Sequence, residues 1–202
     1  MEVREALVRQ WRVVAQAVPA LDLELSSRLA GWRNREVLAH LSLQPKLLGR
    51  FLATASREPA QVTLVANLSG TSAFAETIDR MARLATERDL NFAANVERII
   101  PALEYADPAA TVVTMQGPIN LHDYIVTRCV EAVVHGCDFT DPIEPDISAQ
   151  AIACSALHDV LAARHPELLA AARSLVPATW LSVATGRETP PPALRGCCPV
   201  MT

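Results

Sequence analysis

No stretch of this 202-residue sequence reaches the ~18 to 20 consecutive apolar residues of a membrane span, so a transmembrane segment is not expected. Runs of lysine or arginine are missing too. The 18 basic and 22 acidic residues are dispersed and leave a formal charge of -4, which offers no surface for a phosphate backbone and argues against nucleic acid as a partner. Alternating β-branched runs are nearly absent, apart from Thr111-Val112-Val113-Thr114, which reads as a short extended piece. Zinc-finger spacing is absent among the five cysteines (Cys129, Cys137, Cys154, Cys197, Cys198). No internal repeat is visible, nor a second domain of independent size.

The opening Met1-Glu2-Val3-Arg4-Glu5 reads as an amphipathic helix without the apolar core of a signal peptide, so a cytoplasmic location is expected. There the cysteines would stay thiols and serve mostly as small packing residues. The sequon Asn67-Leu68-Ser69 would then never meet the glycosylation machinery.

What remains is a chain that is 50% apolar and 20% charged, long enough to bury a real core, and dominated by helical periodicity. An all-α fold of about six helices is expected. The first helix runs from about Val3 to Ala17 with Leu7, Trp11 and Val14 on one stripe, and stops before Pro19. The second starts near Asn34 and carries Val37, His40, Leu41, Gln44, Leu47, Leu48, Phe51 and Leu52 on one face, which His40 and Gln44 interrupt.

A linker around Pro59 to Gly70 leads to a third helix, capped by Thr71 or Ser72 and ending near Thr86. Asp89 is a candidate cap for a further segment broken near Pro101. A turn at Gly117-Pro118 releases a helix from about Asn120 to His135, with Gly136 as its C′ residue. Ile147 to Arg164 reads as another amphipathic helix, followed by a short one near Glu167 to Ser174 and a proline-rich tail over Pro190 to Pro192.

On the helix that ends at His135, the residues Tyr124, Arg128, Glu131 and His135 share one stripe, while Val126, Val130, Val133 and Val134 cover the other sides. Burying a carboxylate, a guanidinium and an imidazole together costs several kcal/mol unless they pair with one another or bind a cation. Glu131 and His135, four residues apart, can reach a common ion, and His40 on the early helix is the natural third ligand. Two histidines and a glutamate with one open position form a catalytic zinc arrangement. The competing reading is an ion pair of Glu131 and His135 with Arg128, and an ordinary core histidine at position 40.

The segment Gly31-Trp32-Arg33-Asn34-Arg35-Glu36-Val37-Leu38-Ala39-His40-Leu41 resembles a signature of the mycothiol-dependent maleylpyruvate isomerase family. Arg128-Cys129-Val130-Glu131-Ala132-Val133-Val134-His135-Gly136-Cys137-Asp138 is similar to that family's second signature, Arg-x-x-Glu-x-x-x-His-x-x-Asp. Trp180-Leu181-Ser182-Val183-Ala184-Thr185-Gly186-Arg187 is similar to a stretch near its C-terminus. The resemblance implies a DinB/YfiT-like four-helix bundle over residues 1–145, with residues 146–202 as a short helical extension packed on it. It also implies a divalent metal, zinc, on His40, Glu131 and His135, with mycothiol as co-substrate.

Such a metal would lower a thiol's pKa enough to ionise it at neutral pH, and the implied activity is thiol transfer or isomerisation on a small electrophilic substrate. Arg128 is a candidate for steadying a carboxylate or a substrate anion, Asp138 for orienting a ligand histidine, and Arg187 for binding an anionic substrate or thiol. Two other classes stay open: a non-catalytic metal-binding or regulatory bundle, and a hydrolase using metal-bound water. Tyr124 and the tryptophans Trp11, Trp32 and Trp180 read as core residues, and His122, His158 and His165 as sitting at a helix start or on exposed faces. Vicinal Cys197-Cys198 lacks a nearby base or partner cysteine and receives no role. A homodimer through the first or last helices would be unsurprising for a bundle of this size.

Overall fold

The computed structural model describes residues 2–87 and 90–201. Among them are nine α-helices and one two-stranded sheet, in the order α1 (Val3–Ala17), α2 (Asn34–Ala53), α3 (Leu64–Ser69), α4 (Ala75–Thr86), α5 (Phe92–Tyr105), β1 (Thr111–Thr114), β2 (Gly117–Asn120), α6 (Leu121–Gly136), α7 (Ile147–Arg164), α8 (Leu169–Arg173) and α9 (Pro177–Ala184). The fold is all-α, as expected. No helix among the described residues is long and apolar enough to cross a membrane.

Helices α1, α2, α5 and α6 pack around one core, α4 lies along α2, and α7 covers α6 and α1. Leu7, Trp11 and Val14 of α1, Val37, Leu41 and Leu48 of α2, and Ile125, Val130 and Val133 of α6 are fully buried, which is what their apolar spacing requires. Gln10 is the polar exception on α1. Its Nε2 donates to the Ala132 carbonyl at 3.3 Å and its Oε1 accepts from Asp146 N at 2.8 Å, so a buried amide ties α1 to both α6 and the start of α7.

Side chains close the helix starts locally. Thr63 accepts from Ala66 N, Asn91 from Ala94 N, Asn120 from His122 N, and Asp146 from both Ser148 N and Ala149 N, each filling orphan donors of a first turn. Glu36 reaches back 2.8 Å to Arg33 N and closes the start of α2.

Several expectations are corrected. The segment from Pro59 to Gly70 holds helix α3, because Thr63 supplies a cap that its surroundings disguise as linker. The third helix begins as a 3-10 turn at Thr71–Phe74 and becomes α only at Ala75, with no side-chain cap from Thr71 or Ser72. Asp89 lies outside the described residues; Asn91 caps α5. Pro101 does not break that helix, which continues to Tyr105. Gly117 and Pro118 belong to β2 rather than to a turn: Thr114 pairs with Gly117 across a two-residue loop, and Gly117 takes φ +119°, which a side chain would resist. Gly136 is the last residue of α6 and Cys137 is its cap, so no left-handed C′ glycine is used there. Helix α9 was hidden in what reads as a tail before proline, and its Trp180 is buried with Nε1 donating 3.2 Å to the Cys154 carbonyl.

Candidate metal centre

Three side chains from two helices meet between α2 and α6. His40 Nε2 lies 2.8 Å from Glu131 Oε2, and His135 Nε2 lies 3.4 Å from the same oxygen. The three ligand atoms all fall within 4.8 Å of one another. Metal–ligand bonds of ~2.0 to 2.1 Å at tetrahedral angles place donor atoms about 3.3 to 3.4 Å apart, so this cluster is close to the spacing an ion would impose. Two imidazole nitrogens and one carboxylate oxygen are also the donor chemistry that zinc accepts. The residues present therefore fit the ion.

Helix geometry explains why they meet. Glu131 and His135 stand one turn apart on α6, while His40 occupies the middle of the α2 face turned to α6. His40 is 8% and Glu131 9% exposed, low enough for an uncompensated charge to be costly. Burial pushes the His40 imidazole below its usual pKa, against the pull of its Glu131 hydrogen bond. Burial alone would raise Glu131, but the hydrogen bonds from His135 and His40 and the charge of Arg128 hold it well below the usual carboxylate range. His135 also resists the effect of burial: hydrogen bonds to Asp138 and Glu131 push it up to about 9. Without an ion, the proton on His135 is thus favoured between the Glu131 and Asp138 carboxylates.

Asp138 and Arg187 form a buttress behind His135. Asp138 is 1% exposed, and its Oδ2 lies 2.8 Å from His135 Nδ1. That contact leaves His135 Nε2 as the ligand nitrogen, as a carboxylate behind a metal-bound histidine does. Arg187 grips Asp138 bidentately, with Nε to Oδ1 and Nη2 to Oδ2 both at 2.6 Å. Burial would raise the Asp138 carboxyl, but Arg187 and His135 hold it down at about 2. Gly186, at φ +78°, turns the chain after α9 so that Arg187 can reach inward. In this structure the Arg187 fork is engaged by Asp138 and its Nη1 donates 3.0 Å to the Thr185 carbonyl, while the side chain still lines the larger cavity.

Arg128 makes no ion pair with Glu131 or Asp138 among the described residues, so the competing reading keeps only its pair of Glu131 with His135, 3.4 Å apart. Its guanidinium stands 4.8 Å over the Tyr124 ring, and its Nε donates 3.2 Å to Thr127 Oγ1. Two residues that sequence reasoning did not assign complete the site. Gln44, one turn beyond His40, donates from Nε2 to Glu131 Oε2 at 3.3 Å, and its position on the histidine's own face was the available signal. Trp32, read as a core anchor, instead forms a wall: its ring lies 5.9 Å from that of His40 and stacks at 6.4 Å on His135. Its Nε1 donates 2.7 Å to Asp79 of α4. Lying in a loop, it has no periodicity to reveal this.

His158 is also corrected. It stacks on Trp180 at 4.6 Å and is not on an open face. The cysteines join no metal-ligand cluster among the described residues.

Two cavities open onto the cluster, sharing His40, Thr71, Ile78 and Glu131 in their walls. The larger, about 360 Å³, takes in Trp32, Ser72, Asp79, His135 and Arg187 together with apolar Leu29, Val130, Val134 and Met201. The smaller, about 140 Å³, runs from His40 and Glu131 between α2, α4 and the β1–β2 loop.

The family model described as mycothiol maleylpyruvate isomerase N-terminal domain matches residues 4–140, which include all three candidate ligands and Asp138 but not Arg187. No curated protein and no solved structure gives a match.

Proposed function

Because the chain belongs to the mycothiol maleylpyruvate isomerase N-terminal domain family, we propose that it is a zinc-dependent thiol S-transferase or isomerase that uses a low-molecular-weight thiol, mycothiol, on a small electrophilic substrate. The observation that carries this reading is the convergence of His40, Glu131 and His135 within 4.8 Å, beside two cavities that both reach His40 and Glu131. Cavity space on both flanks suits a reaction that brings a thiol and an electrophile to one centre.

A divalent ion held there supplies a positive centre that ionises a thiol at neutral pH. The chain's own residues do the rest. Asp138 fixes the ring of His135 with Nε2 facing the centre, and Arg187 holds Asp138 ionised and immobile, so both act as positioning residues. Arg128, stacked on Tyr124 and in no ion pair among the described residues, presents donors to the oxygen of a substrate entering the smaller cavity. Trp32 walls the larger one and limits water at the centre.

The test is metal content by plasma mass spectrometry on protein without a histidine tag, beside His40→Ala and His135→Ala. About one equivalent of zinc in the wild type, lost in both variants, is expected, together with thiol-dependent conversion of a small electrophile. A wild type that is metal-free and refuses added ions overturns the reading.

A further inference from the structure

The smaller cavity carries information about what enters it. Leu47, Phe51, Phe74, Ile78 and Met81 supply apolar walls and Asn67, Thr71, Thr114 and Gln116 polar ones, while Gln44, Arg128 and Glu131 line it beside the metal-ligand cluster. A volume of about 140 Å³ is small. An engineered apolar cavity of ~150 Å³ in another protein holds one benzene, so the space here accepts a single six-membered ring and little more. Burying an uncompensated charge against the apolar part of the wall would be costly, so a ring placed there is apolar.

The lining beside the cluster is incomplete as it stands. Gln44 is 1% exposed, and its Nε2 is committed to Glu131 Oε2, which fixes which end of the amide is which. The other end, Oε1, is buried and has no hydrogen-bond partner. A buried acceptor left unpaired costs free energy that a ligand with a donor would recover. Arg128 lines the same cavity, and among the described residues no carboxylate lies within ion-pair distance of it. An acceptor beside donors matches a hydroxyl group, which offers one hydrogen and two lone pairs. A carboxylate would meet Arg128 well but would bring no donor to Gln44 Oε1 and would face the like charge of Glu131.

We propose that this cavity is the substrate subsite and that it takes a monocyclic, uncharged, hydroxyl-bearing molecule of the size of phenol, its ring among Leu47, Phe51, Phe74, Ile78 and Met81 and its hydroxyl between Gln44 Oε1 and Arg128. The assignment as substrate subsite rests on the reading of the adjacent His40–Glu131–His135 cluster as the reacting centre. The binding chemistry does not.

Isothermal titration of the full-length protein with phenol, toluene and benzoate, with and without zinc, tests it. Phenol is expected to bind one site per chain, about fivefold or more tighter than toluene, the factor one net hydrogen bond supplies, and benzoate should bind weakest. Gln44→Leu should erase the preference for phenol over toluene. Met81→Trp, which fills the cavity from the α4 side, should abolish binding of both while leaving the helical circular dichroism unchanged. Failure of phenol to saturate the wild type, tighter binding of benzoate, a preference that survives Gln44→Leu, or wild-type affinity in Met81→Trp each overturns the proposal. Phenol binding without zinc uptake would sink the metal reading alone, and zinc uptake without phenol binding would sink this one alone.

Discussion

Asp138→Asn removes one charge from the buttress behind the metal centre while keeping the side chain's shape. Three contacts depend on that charge: the 2.8 Å bond to His135 Nδ1 and the two 2.6 Å bonds from Arg187. An asparagine can still accept with one oxygen but cannot take the arginine fork and the imidazole together. Loss of the carboxylate behind a ligand histidine typically costs 10- to 100-fold in metal affinity, or about 1 to 3 kcal/mol. The metal-free protein should weaken as well. The Asp138 carboxyl is 1% exposed and held at about 2, below its ordinary 3.8. A depressed carboxyl stabilises the fold above its unfolded pKa, so the contribution is fully present above about pH 4 and is lost as pH falls toward 2. The shift corresponds to about 2 kcal/mol. Breaking a buried pair costs about 3 to 5 kcal/mol, and the 21% exposure of Arg187, which lets its guanidinium relax toward water, puts the expected loss near the lower end. Zinc affinity by competition with a chromophoric chelator, and urea unfolding in EDTA at pH 3 and pH 7, give both numbers. Zinc affinity within twofold of wild type, or equal stabilities of wild type and variant at pH 7, would refute the reasoning.

Asp146→Ala removes the acceptor for Ser148 N and Ala149 N at the start of α7 and the partner of Arg9. A loss of about 1 to 2 kcal/mol in urea unfolding is expected, with zinc content unchanged, since the site is elsewhere. Burial pushes the Cys129 thiol up to about 12 and the Cys154 thiol up to about 11, so both stay protonated at pH 8. In the folded protein these two should resist iodoacetamide at pH 8 and react on denaturation, as peptide mass mapping would read; rapid labelling of either in the native state would contradict the burial.

Much of the frame is written locally in the chain. The bounds Val3–Ala17 and Ile147–Arg164 follow from apolar spacing, proline and an aspartate cap, all of which act within a few residues. The pairing of Glu131 with His135 is legible for the same reason, since four residues make one helical turn. Where local signals compete, the reading fails: α3 hides in a proline-flanked stretch, and Pro101 is tolerated inside α5, which packs against α1 and α2. His40 was singled out by its place on an apolar face, and similarity of the flanking residues to a known signature strengthened it.

What no local rule could supply is the meeting itself. His40 and Glu131 are 91 residues apart, and Asp138 and Arg187 are 49 apart. The free end of Gln44, the turn of Trp32 over the two imidazoles and the two cavities beside the cluster exist only once α2, α4 and α6 are packed. By itself the sequence determined which residues could ligate and which helices would carry them, because propensity, capping and periodicity are short-range. Tertiary structure decided the spacing of the ligands, the partner of each buried charge and the shape of the space beside them, because packing is settled by all the contacting surfaces at once.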